Sequence, residues 1–213
     1  MTISTIHIKS DLDYYWKTID IIKNIKNNLI TYYIDNTGIS TMWGHQVDGY
    51  LNISATSIPN SLTTFIDESF SSLDKILDID FQRTYNREEA TIKIIHTDSV
   101  IPGTTNAYGS ASAMFTGNYY DYSLGKWRAD DVSLEMICLD DDINISWGNK
   151  NYFHEHVILH ELGHLLTLEH PFEENDGDIY GTDFGSNAVD ITETLMAYES
   201  NNKAYSDWYT TLD

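Results

Sequence analysis

Residues 154–170 read HEHVILHELGHLLTLEH and hold five of the chain's eight histidines. On a helix, His156, His160 and His164 follow one another at i, i+4 and i+8, nearly on one face. Adjacent members of that row can share one metal ion. The outer two cannot, because eight residues rise about 12 Å while a zinc–nitrogen bond spans only about 2 Å. His154, six residues before His160, is turned to roughly the far side of the helix.

The neighbours choose between the two adjacent pairs. His160 is followed by Glu161, giving H-E-L-G-H, in which the carboxylate projects beside the metal and can hold a water as general base. Val157 follows His156, so that pair would have a metal and no base. His160 and His164 are therefore the expected ligands and Glu161 the base. His154 and His156 are expected to be bystanders or to support a ligand from behind. A bare HExxH leaves a helix with solvated histidines as an open alternative. His170 narrows it. Six residues past His164, it returns to the metal only if the chain turns sharply after the second ligand. Three histidines with an open fourth position describe a catalytic zinc site, whereas structural sites close all four positions and favour cysteine. One cysteine, Cys138, cannot build the latter.

The string HELGHLLTLEHP resembles the signature of the metzincin zinc peptidases, H-E-x-x-H-x-x-G-x-x-H with a downstream Met-turn. Pro171 after the third histidine and Leu168 before it look like the serralysin branch, and TLMAY, residues 194–198, is similar to its Met-turn. The resemblance implies that Met196 lies beneath the metal and that Tyr198 is a fifth ligand able to swing away. It implies an α/β (α+β) zincin-like domain of two lobes. A twisted, mixed, mostly parallel five-stranded sheet and two long helices would stand above the cleft, with an irregular C-terminal lobe below. Residues 29–168 would be the upper lobe and 169–213 the lower. Three departures stand out. Thr167 replaces the signature glycine, and a β-branched residue suits a left-handed turn poorly. The glycine-rich calcium-binding repeats that typically follow such a domain are absent, so truncation at the C-terminus is expected. No cysteine-switch segment is visible.

The elements that must position these residues are legible in part. NLITYYID, residues 28–35, reads as a strand, and residues 59–77 place Leu62, Phe65, Ile66, Phe70, Leu73, Ile76 and Leu77 on the buried stripe of an amphipathic helix. ATIKIIHT (90–97), NAYGSASAMF (106–115, an edge strand) and DVSLEMICL (131–139, largely buried, with Cys138) complete the strands, ahead of the histidine helix. Residues 1–28 read as an arm or the remnant of a pro-segment, and 29–213 as one catalytic domain. The Gly/Asp/Asn-rich stretch 172–190 reads as a long loop, where Asp176 and Asp178 are candidate calcium ligands without EF-hand spacing.

A net charge of −21 with 12 Lys+Arg disfavours nucleic acid and anionic membranes as partners. Apolar residues make up 41% of the chain, as in a folded protein, yet no window offers the roughly eighteen apolar residues of a membrane span. The N-terminus lacks the basic and apolar regions of a secretion signal. The family resemblance therefore implies export by another route, as a monomer acting on protein or peptide substrates. Zinc is the expected cofactor, with calcium beside it, and the expected function is zinc-dependent endopeptidase. Two alternatives stay open. A thermolysin-like peptidase would take a downstream glutamate such as Glu193 as third ligand, and a zinc-binding interaction module would have lost catalysis.

Overall fold

The computed structural model describes residues 28–43, 51–97, 109–116, 119–121, 126–128, 131–139, 150–166, 168, 170–172, 181 and 194–196. The chain forms two compact units, one holding the described residues up to Leu139 and the other those from Lys150 onward. The arm expected over 1–28, Ala107, Thr167, Asp176, Asp178, Glu193 and Tyr198 lie outside the described residues, apart from Asn28 itself.

The first unit is built on a five-stranded sheet. Its strands are β1 (Leu29–Ile34), β4 (Asp80–Arg83), β5 (Ile92–Thr97), β6 (Gly109–Thr116) and β9 (Asp131–Leu139), in the order β4-β1-β5-β9-β6. Four run parallel, and β6 returns antiparallel at the edge, Gly109 opposite Cys138 and Thr116 opposite Asp131. The mixed, mostly parallel five-stranded sheet is thus present. Two small antiparallel ribbons accompany it, β2 (Ser40–Trp43) with β3 (Leu51–Ser54) and β7 (Tyr119–Asp121) with β8 (Lys126–Arg128).

Burial follows from the order. β5 lies inside the sheet, and Ile92, Ile94, Ile95, His96 and Thr97 are all buried, as expected for a parallel strand covered on both faces. β1 alternates instead, burying Ile30, Tyr32 and Ile34. Helix α1 (Asn60–Leu73) covers this region with Leu62, Ile66 and Phe70, one helical turn apart. Phe70 stacks on Tyr32 with ring centroids 4.0 Å apart and meets Phe81 of β4 at 5.0 Å. Burying one such ring stabilises the fold by roughly 1.5–3 kcal/mol. Asp67, on the same helix, accepts from the Tyr32 hydroxyl at 2.8 Å and from Arg83 Nη1 at 2.7 Å, fastening helix, β1 and β4 together. Burial, and then the Asp67 carboxylate, push the Tyr32 phenol above its ordinary range.

The apolar stripe expected to run to Leu77 stops short. After Leu73 the turns tighten, Lys75 N donating to Ser72 O and Ile76 N to Leu73 O, and the Asp74 carboxylate takes Phe81 N at 2.6 Å as the chain enters β4. Ile76 is consequently 70% exposed, and Phe65 only half-buried. The other end of the sheet carries a second tie. Thr56 N donates to His96 O at 2.7 Å, Thr97 Oγ1 donates to Ser54 O at 2.7 Å, and Ala55 bridges Thr97. These contacts hold the β2–β3 ribbon against the end of β5.

The second unit carries helix α2 (Lys150–Leu165), which buries Val157, Ile158, Leu159, Leu162 and Leu165. The protein is therefore a mixed α/β chain with a small, mostly parallel sheet and, among the described residues, two helices. None of its described helices is long and apolar enough to cross a membrane.

Candidate metal centre

His160 and His164 leave α2 one turn apart, their rings edge to face with centroids 4.8 Å apart. The helix ends directly after them. Leu166 N is shared between Leu162 O and Gly163 O, both at 3.0 Å, and Leu168 N turns back to Gly163 O at 2.9 Å. That reversal is the sharp turn His170 requires. His170 Nε2 comes to 3.1 Å from Nε2 of His160 and 3.2 Å from Nε2 of His164. Among the described residues, these three form the group of metal-binding donors, and their ligand atoms all lie within 4.8 Å of one another. The three histidines are close enough to hold one metal ion. His156 is outside the group, its ring 5.9 Å from that of His160.

The other ring nitrogens explain the orientation. His160 Nδ1 donates to Leu195 O at 2.8 Å, and His164 Nδ1 donates to Leu168 O at 2.9 Å. A carbonyl can only accept, so in both rings the proton belongs on Nδ1 and the lone pair on Nε2. Backbone carbonyls behind a ligand histidine fix its tautomer and plane in this way.

This arrangement tests the fit of a metal. Two Nε2 lone pairs face the same nitrogen of His170, and a neutral His170 could offer a proton to one of them at most. A cation among the three satisfies all. Nitrogens about 2 Å from a tetrahedral ion stand roughly 3.3 Å apart, close to the distances present.

Burial sets the charge states. Removal from water, then the neighbouring His164, pushes His160 down to about 3, although the Leu195 carbonyl works the other way. The same causes, burial and then His164, bring His170 to about 3. Both are neutral at neutral pH, the form that binds metal. Glu161, next to His160 in sequence and 7% exposed, is pushed up to about 8 by burial. A nearby cation would oppose that and favour the carboxylate.

Met196 is fully buried, and its backbone N–H is taken by Thr194 Oγ1 at 3.2 Å in a tight turn that presents the Leu195 carbonyl. Its sulfur lies against the bare face of Gly163. A Cβ built there would stand 2.6 Å from Met196 Sδ, inside any real contact distance. Gly163 therefore admits the turn that orients His160. Sequence reasoning passed over this glycine, although a glycine in the middle of an apolar helix is a signal for close approach. It also missed Phe172, whose ring lies parallel to that of His170, 5° apart in plane with centroids at 5.1 Å. The carbonyls of Leu168 and Leu195 have no signature in side-chain types.

No protein-family model matches the chain, and no curated protein does. Among solved structures it is similar to one described as "GM1 bound form of the ECX AB5 holotoxin", at 16% identity over 90% of this chain and 74% of that chain, with a TM-score of 0.42. A likeness so slight leaves fold and activity to be argued from the chain's own residues.

Proposed function

We propose that this chain is a zinc-dependent endopeptidase of the metzincin kind, most similar to the serralysin branch. The observation that carries the reading is that His170 Nε2 stands 3.1 and 3.2 Å from Nε2 of His160 and His164, the latter two held in the ligand tautomer by carbonyls. Zinc is the proposed ion because three imidazoles without thiolate suit it, and an open fourth position suits catalysis. His170 in the third place supports this reading over a thermolysin-like one.

His160, His164 and His170 would hold the ion, which when bound supplies a Lewis acid for the scissile carbonyl and an acidified water. Glu161 takes the proton from the attacking water and passes it to the leaving amine. Burial raises its affinity for the proton, and a bound cation would oppose this and favour the carboxylate that a base requires. Tyr198, by the family resemblance, donates a hydrogen bond to the developing oxyanion. The two-lobed zincin architecture, export from the cell and monomeric action on proteins or peptides belong to the same proposal.

The test is cleavage of casein or a quenched peptide library with added zinc, with zinc and excess chelator, and with Glu161→Gln. Chelator-sensitive cleavage that Glu161→Gln abolishes supports the proposal. Stoichiometric zinc with no cleavage across the library refutes the peptidase and leaves a metal-binding module.

A further inference from the structure

Two of the three metal-facing rings are turned by carbonyls, Leu195 O for His160 and Leu168 O for His164. His170 reaches the group from beyond the end of α2, and Phe172 lies flat against its ring. The two rings are 5° from parallel with centroids 5.1 Å apart, within the offset-stacked range for aromatic pairs. Pro171, between them, is buried and has a fixed φ, which restricts the tripeptide that carries both rings. Phe172 itself is half-buried while His170 is 8% exposed.

We infer that Phe172 is a positioning residue for the third metal ligand: it sets the plane of His170 and favours the metal-bound state of that ring. The inference rests on the metal-site reading above and deepens it. Two physical effects support it. The stack restricts rotation of the His170 ring, so less freedom is lost when Nε2 engages an ion. An imidazole bound to a cation is electron-poor, and the face of a phenyl ring is electron-rich, so the attraction between them grows on loading. The stack therefore contributes more to the loaded protein than to the metal-free one. This is the condition for raising affinity rather than only stability.

Two variants separate geometry from bulk. Phe172→Leu keeps an apolar side chain without an aromatic face, and Phe172→Tyr keeps the face. Zinc affinity is measured on the full chain by competition with a chromophoric chelator, and cobalt substitution reads ligand geometry from the visible absorption bands. Thermal unfolding of the metal-free proteins reads any simple structural loss. The expected result is a roughly 3- to 10-fold weaker zinc affinity in Phe172→Leu, altered cobalt bands, near-unchanged metal-free unfolding, and recovery of affinity and bands in Phe172→Tyr. The inference is overturned if Phe172→Leu binds zinc within twofold of wild type with the same cobalt bands, or if Phe172→Tyr loses as much as Phe172→Leu. A wild-type chain that binds no zinc overturns the underlying metal-site reading instead, so the two failures are distinguishable.

Discussion

Gly163→Ala is the perturbation that probes the site's construction most sharply. In an ordinary helix interior, alanine in place of glycine stabilises by about 1 kcal/mol. At this position the new Cβ would stand 2.6 Å from Met196 Sδ, with Leu168 Cδ1 at 3.5 Å and Met196 Cε at 3.6 Å. Ordinary contacts between such atoms begin near 3.5–4.0 Å, so the sulfur must retreat about 1 Å. Met196 is fully buried, which leaves its side chain no solvent to swing into. The side chain must therefore repack within the core or carry its turn with it. If Leu195 moves with it by that amount, the 2.8 Å bond from His160 Nδ1 opens beyond hydrogen-bond range. Overpacking costs about 1–3 kcal/mol, and an orphaned buried N–H about 1–3 kcal/mol more. Against the helical gain, the net loss falls between about 1 and 5 kcal/mol. Zinc affinity should fall about 10- to 100-fold, as when the group behind a ligand histidine is lost. Thermal unfolding of the metal-free chain and chelator competition read the two effects. Met196→Ala removes the obstructing sulfur, so Gly163→Ala added to it should do far less harm. A Gly163→Ala chain that melts higher than wild type and binds zinc equally well would refute the reasoning.

Three further outcomes are expected. His170→Ala should weaken zinc binding by orders of magnitude in chelator competition, and full retention would revive a glutamate as third ligand. Glu161 ionises near 4.5 in the unfolded chain but near 8 in the metal-free fold, so the stability it contributes is complete below pH 4.5 and lost as pH rises through 8. Metal-free Glu161→Gln should therefore gain on wild type between about pH 5 and 8 in urea midpoints, and a constant difference would contradict a buried carboxyl. His160 and His170 act in the opposite sense. Their folded values near 3 lie below the ordinary 6.5, so their contribution is complete above pH 6.5 and lost as pH falls toward 3. Zinc should leave over the same acid range, followed by metal release into a chromophoric chelator.

The legible parts of the chain were those where side-chain type records burial. β1, β5 and β9 announce themselves as β-branched and apolar runs, and β6 as an edge strand of small residues. The sequence DFQR of β4 gives no such sign, because an edge strand with only half-buried side chains carries no apolar pattern. The short β2–β3 and β7–β8 ribbons were equally silent. Leu73, Ile76 and Leu77 continue the helical period, so the pattern runs four residues past the end of α1. The hydrogen bond from Phe81 N to Asp74 that starts the next strand has no period to reveal it.

At the site, the i, i+4 spacing and the HExxH pattern led to His160 and His164, and the turn required of His170 is supplied by the Leu168–Gly163 bond. What orients the rings was not legible. Leu195 and Leu168 act through backbone carbonyls, which any residue has, and Gly163 acts by lacking a side chain. Such roles emerge only when distant segments meet, here 35 residues apart for His160 and Leu195.

Zinc-edge X-ray absorption on the chain reconstituted with one equivalent of zinc tests the metal centre most directly. The expected spectrum has three imidazole nitrogens at about 2.0–2.1 Å, falling to two in His170→Ala. A wild-type spectrum with two imidazoles, or one unchanged by His170→Ala, would contradict it.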